Sequence, residues 1–160
     1  MAYLKVSIVL FLFGVIVAVN CGSTKSLDDF LGKKYELHES KNFDEYMKAL
    51  GVGFFTRKFG AAASPVIDLS KQGDEYTLTS ISTFKNVYLK FKPGVEFDQE
   101  TPDGRDVKAT ITVDGTTIHE VQKDADGKTN TLDRTWSPTE VKMVMTIDNI
   151  TATRIYKVIP

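Results

Sequence analysis

Residues 141–160 read VKMVMTIDNITATRIYKVIP. From Val141 to Ile147 the apolar side chains Val141, Met143, Met145 and Ile147 hold the odd positions, and Glu140, Lys142 and Thr146 hold the other face. A period of two is the signature of a half-buried strand. Asp148 and Asn149 then supply turn chemistry. A second run follows, with Ala152, Arg154, Tyr156 and Val158 on one face opposite Thr153, Ile155 and Lys157. The stretch reads as an antiparallel hairpin, and in its second strand Ile155 disturbs the outer face. Because strand residues i and i+2 point the same way, Arg154 and Tyr156 are offered to one common object.

Working outward, the same alternation recurs at Val107, Ala109, Ile111 and Val113. Beyond Pro65 the chain is a series of short Val/Ile/Thr/Tyr-rich runs. They are separated by the turn signals KQGD, KPG, PDG, VDG, DADG, SPT and DN, a spacing that predicts an antiparallel meander. With a first strand over Lys33 to Ser40, about ten strands result, too many for a flat sheet of this size, and closure into a barrel removes exposed edges. Ahead of Pro65 lie two helical stretches. Asn42, with Asp44 and Glu45 behind it, reads as a capped helix start and Gly51 as its stop. A second helix over about Phe54 to Ala63 ends before Pro65. The expected fold is therefore all-β: a ten-stranded antiparallel up-and-down β-barrel with a short helix-turn-helix over one mouth.

From Lys128 to Trp136 the even face contains Leu132, Arg134 and Trp136, so Arg134 also falls inward. Two guanidiniums inside a barrel need anionic company, since stranding a buried charge costs roughly 3–5 kcal/mol. The interior strands read as poor in acids. A ligand carboxylate held by Arg134, Arg154 and the Tyr156 hydroxyl is one solution; pairing with Glu120 or Asp133, or snorkelling to a barrel end, is the other.

Among its 160 residues the chain has 42% hydrophobic and 26% charged side chains and a formal net charge of −1, an ordinary globular composition with no basic field for nucleic acid. The first residues differ: one Lys, fourteen apolar or small residues from Val6 to Val19, then Asn20, Cys21 and Gly22. That pattern reads as a signal peptide over residues 1–21 ahead of one domain over 22–160, which makes the expected protein secreted and extracellular. Cys21 is the only cysteine, so no intramolecular disulfide forms. In a secreted chain the Asn149–Thr151 sequon NIT would be a usable glycosylation acceptor. No Ser/His/Asp set, metal-spaced His cluster or phosphate loop is present, and His38 and His119 lack evident partners; neither an enzyme, nor a metal, nor a cofactor is expected.

The segments FLGKKYELHESKNFDEYMKALGVGFFTRKFG, STFKNVYLKFKPGVEFDQETPDGRDVK and TRIY occur in the order found in the fatty-acid-binding protein family, the intracellular lipid-binding proteins of the calycin superfamily. The chain resembles this family from about Leu31 to Val158, and the secreted N-terminus is similar to that of extracellular invertebrate members. The resemblance implies an internal cavity for one long-chain fatty acid, with Arg134, Arg154 and Tyr156 as the carboxylate-binding trio. It also implies that Phe43, Tyr46, Met47, Val52, Thr56, Pro65, Phe84 and Asp103 line the cavity or its portal, and that Met143 and Met145 lie in the wall. A carrier of retinoids or other hydrophobic signal molecules is the alternative. The second helix with Phe84 and the turn at Asp103 is the expected portal, Lys58 and Lys85 could touch an anionic membrane there, and the family favours a monomer.

Overall fold

The computed structural model describes residues 25–160; the expected signal peptide, residues 1–21, lies outside the described residues. A 3-10 turn, Leu27–Phe30, precedes the first strand, β1, Lys34–Lys41. Two helices follow, α1, Phe43–Ala49, and α2, Phe54–Ala62. The remaining strands are β2 Val66–Gln72, β3 Glu75–Ile81, β4 Asn86–Phe91, β5 Glu96–Glu100, β6 Asp106–Asp114, β7 Thr117–Lys123, β8 Thr129–Trp136, β9 Glu140–Ile147 and β10 Ile150–Ile159. The hydrogen-bonded order β4-β3-β2-β1-β10-β9-β8-β7-β6-β5 is an up-and-down meander whose first strand joins the last. The barrel is nearly closed. Its one seam lies between β4 and β5, which do not pair, so closure removes the edges everywhere but there. Exposed Glu96, Asp98 and Glu100 on β5 and Lys90 on β4 guard those two edges with charge.

Alternation buries one face of each strand. In β9 Val141, Met143, Met145 and Ile147 are buried, as their odd positions require, and in β6 Val107, Ala109 and Ile111 are too. One end of the barrel is plugged: Leu27 and Phe30 of the 3-10 turn are each 1% exposed, and Tyr35 packs edge-on against Trp136 with ring centroids 5.2 Å apart. Burying one such side chain is worth about 1.5–3 kcal/mol. The helices cover the opposite end, because β1 runs away from the plug and leads directly into α1.

Asn42 does not cap α1 with its side chain. It adopts a left-handed conformation, φ 57°, which asparagine tolerates, and its Nδ2 donates to the Thr151 carbonyl at 2.8 Å. The amide thus ties the start of α1 to the start of β10 instead of to the helix's own N–H groups. At the other end of α1, Lys128 Nζ donates to the Ala49 carbonyl at 2.8 Å. In β1 the register slips between Leu37 and Glu39, so His38 is the extra residue of a bulge.

Candidate functional site

Across β8, β9 and β10 the register sets Arg134 opposite Met143, and Met143 opposite Arg154. The two arginines therefore stand in one row on the inner face with Met143 between them, about 10 Å apart by two strand spacings. Tyr156 lies two residues further along β10, opposite Val141. Arg134, Arg154 and Tyr156 are all buried, as the sequence pattern requires.

They open into a cavity of about 370 Å³. Phe43, Tyr46, Met47, Thr56, Pro65, Phe84, Asp103, Met143 and Met145 line it. Val52 does not. It is buried in the turn between the helices, where its N–H donates to the Met47 carbonyl and its own carbonyl accepts Arg57 Nη1 at 2.8 Å. Asn149 is exposed in the β9–β10 turn, away from the cavity.

The electrostatics depart from the sequence reading. The interior is not poor in acids, because Glu120 of β7 is fully buried and accepts from Arg134 Nη1 at 2.7 Å. Its other oxygen accepts from Gln122 Nε2 at 2.5 Å. Asn130 Nδ2 in turn donates to Gln122 Oε1 at 3.0 Å and to the Tyr46 hydroxyl at 2.9 Å. Arg105 closes the chain toward the mouth, donating to Gln122 at 3.3 Å and forming an ion pair with Asp103 at 2.6 Å. The Arg134–Glu120 pair is the alternative that the sequence left open beside a ligand carboxylate, whereas Gln122, Asn130 and Arg105 were not expected at the site. The signal was the alternation Ile118, Glu120, Gln122, which places both polar residues on the face of a core isoleucine. Burial pushes the Tyr46 hydroxyl up to about 12, so it stays protonated throughout the physiological range.

Arg154 is different. Among the described residues its buried Nε and Nη2 have no hydrogen-bond partner. Its guanidinium instead lies over the Phe43 ring, 4.2 Å from the centroid, and 6.0 Å from that of Tyr156. Cavity-lining Lys85 reaches Glu100 at 3.5 Å at the mouth, Arg105 has Asp103 and Arg134 has Glu120, so among the described residues the cavity wall retains one uncompensated positive charge.

The mouth lies between α2, the β3–β4 turn and the β5–β6 turn. Phe59 of α2 meets Phe84 with ring centroids 5.4 Å apart, yet both rings are more than half exposed. No residue of α2 is buried. Its seat is on α1, where Arg57 Nε contacts Asp44 at 3.2 Å and Gly60 approaches Met47 and Phe43.

A plugged barrel with a helical lid and a polar-ended cavity is an arrangement with known counterparts. Residues 31–158 match the family described as lipocalin / cytosolic fatty-acid binding protein. The chain belongs to this family. A muscle fatty acid-binding protein of Schistocerca gregaria is 46% identical over 132 residues, 81% of this chain and 96% of the relative. A fatty acid-binding protein from brain tissue of Drosophila melanogaster superposes with a TM-score of 0.76 at 50% identity, covering 80% of this chain and 98% of that one. A Schistosoma mansoni fatty acid binding protein, solved in complex with arachidonic acid, superposes with a TM-score of 0.80 at 37% identity over 84% and 99% of the two chains. The family is one of lipid carriers, not enzymes. The comparisons also overturn the expectation of a secreted, extracellular protein: the fatty-acid binding proteins of the family are described as cytosolic, and the two insect relatives are a muscle and a brain-tissue protein. The case for Asn149 as a glycan acceptor rested on secretion and goes with it.

Proposed function

We propose that this protein is a monomeric carrier that holds one long-chain fatty acid in its cavity, its carboxylate gripped by Arg154 and Tyr156 with Arg134 alongside. The observation that carries this reading is the buried Arg154 guanidinium with two unpartnered nitrogens. A buried cation with open donors is costly unless an anion meets it, and a carboxylate supplies both the charge and the acceptors. The cavity volume, about 370 Å³, falls in the range of about 300–1,000 Å³ common for small-molecule pockets. The adaptable side chains of Met47, Met143 and Met145 suit an acyl chain of variable shape. Each buried methylene contributes about 0.8 kcal/mol, so ten of them give about 8 kcal/mol before ordering costs, the scale of micromolar or tighter binding.

Access requires the Phe59–Phe84 contact to part, and α2 is the element free to move because it buries no side chain. We infer that α2 also meets membrane surfaces transiently. Phe54 and Phe55 are 56% and 77% exposed, and Lys58 Nζ lies 5.3 Å from the Phe54 ring centroid. Apolar rings beside a cation fit an anionic lipid surface.

Titration of delipidated protein with a fluorescent fatty acid, beside Arg154→Gln and Tyr156→Phe, tests the head-group assignment. One-to-one binding displaced by oleate and weakened in both variants is expected. Unchanged binding in the variants would leave only the acyl tail recognised, and displacement by retinoids in preference to oleate would replace fatty acid as the ligand.

A further inference from the structure

Glu120 is costly where it stands. It is a carboxylate with no solvent exposure, at an inward position of β7, on the wall of a cavity that Met143, Met145, Leu78 and Leu89 also line. Both of its oxygens are engaged, Oε2 by Arg134 Nη1 at 2.7 Å and Oε1 by Gln122 Nε2 at 2.5 Å. It cannot easily swing aside, because Gln122 is itself held by Asn130 at 3.0 Å and by Arg105 at 3.3 Å. If both arginines served only to attract an anion, this acid would oppose them. Its effect is to cancel one of the two charges, and the remaining acid of the wall, Asp103, is spent on Arg105 at 2.6 Å. Among the described residues the cavity wall is thereby set at one net positive charge, carried by Arg154.

We propose that Glu120 is a specificity-determining residue. By neutralising Arg134 it matches the cavity to amphiphiles with a single negative charge, the long-chain monocarboxylates, and excludes doubly charged ones such as alkyl phosphates. A second negative charge brought to Arg154 would find no cation of its own and would lie in the field of the Glu120 carboxylate, and like charges in a poorly solvated site repel strongly. Discrimination of this kind works by building repulsion against the wrong ligand. Arg134 keeps its remaining donors for a hydrogen bond to the ligand but adds no net charge. The proposal rests on the reading of Arg154 as the head-group anchor.

The test is displacement of a fluorescent fatty acid by oleate and by oleyl phosphate at pH 8, where the phosphate is doubly charged. The wild-type protein is expected to bind oleate at least tenfold more tightly than oleyl phosphate. Glu120→Gln frees the Arg134 charge and should narrow that ratio at least tenfold, through tighter phosphate binding. The double variant Glu120→Gln with Arg134→Met removes the pair as a unit. It should lose several-fold in oleate affinity with the Arg134 hydrogen bond while returning to within about threefold of the wild-type ratio, since buried pairs exchange for neutral ones without loss of fold. If Glu120→Gln does not fold, the double variant decides alone: a ratio displaced tenfold from wild type overturns the proposal. Arg154→Gln separates the two claims. Oleate binding that is indifferent to Arg154→Gln overturns the anchor and this proposal together. Oleate binding that is weakened by Arg154→Gln, with a ratio unmoved in Glu120→Gln, overturns the role of Glu120 alone.

Discussion

The two ends of this barrel are closed by different means. At one end Leu27 and Phe30 are driven into the core, and their turn is pinned from three sides: Leu27 N donates to the Gly115 carbonyl at 3.1 Å, the Tyr76 hydroxyl to Asp28 at 2.6 Å, and Lys71 Nζ to Asp28 at 2.8 Å. At the other end α2 leans on α1 and closes the mouth with the half-exposed rings of Phe59 and Phe84. The first end is core and the second, on the function proposed above, is a door. Both are apolar residues over the mouth of one sheet, and what separates them is whether burial is complete.

That comparison is broken most directly by truncating one apolar residue at each end. Phe30→Ala should destabilise the fold by about 3–5 kcal/mol, the usual loss for a fully buried phenylalanine. Phe59→Ala should cost less than about 1 kcal/mol, as surface changes do. Urea denaturation of both variants measures the contrast, and equal losses would mean that α2 is as much core as the plug.

Arg154→Gln sharpens the picture by separating binding from stability inside the barrel. Losing charge-assisted hydrogen bonds worth about 1.5–3 kcal/mol predicts fatty-acid affinity lower by roughly ten- to a hundredfold. Stability of the ligand-free protein should hold or rise, because the variant removes buried donors with no partner. A fall in ligand-free stability instead would show that the guanidinium over Phe43 is structural. The smaller kinetic effect belongs to the door: Phe59→Ala should speed fatty-acid release to acceptor vesicles by several-fold, seen in a stopped-flow transfer assay. Release at an unchanged rate would exclude the Phe59–Phe84 contact as the gate.

The smallest effect is at the plug and depends on pH. Hydrogen bonds from Lys71, then from Tyr76, hold the Asp28 carboxyl below its ordinary range. Its folded value is thus lower than its unfolded one, so its contribution is present above the ordinary aspartate value, about 3.9, and is lost as pH falls through the folded value. Since Asp28 is nearly half exposed, that contribution is modest. Asp28→Asn should flatten the acid limb of a stability–pH curve below about pH 4 and leave its neutral plateau only slightly lower. An acid limb as steep as in the wild type would assign the sensitivity to other carboxylates.

Much of this architecture was legible beforehand because it rests on short-range periodicity. Strands, turns and the two helices follow from alternation and from breakers such as Gly51 and Pro65. Asn42 was misread because a capping residue and a left-handed tether present the same amide in sequence; only Thr151, 109 residues away, distinguishes them. Val52 was misplaced because an apolar residue between two helices packs equally well into the turn as into the cavity. The apolar N-terminus was read as an address for secretion, and the family contradicts that destination.

The sequence by itself determined that Arg134, Arg154 and Tyr156 face inward, because side-chain direction in a strand alternates residue by residue and needs no distant information. The tertiary structure alone decided that the two arginines are unlike. Glu120 and Arg134 are 14 residues apart on neighbouring strands, and the β7–β8 register brings them within 2.7 Å, while Arg154 faces the Phe43 ring across the lid. Which buried charge has a partner depends on that register and on where α1 comes to rest, and neither is encoded in the two-residue period that points the side chains inward.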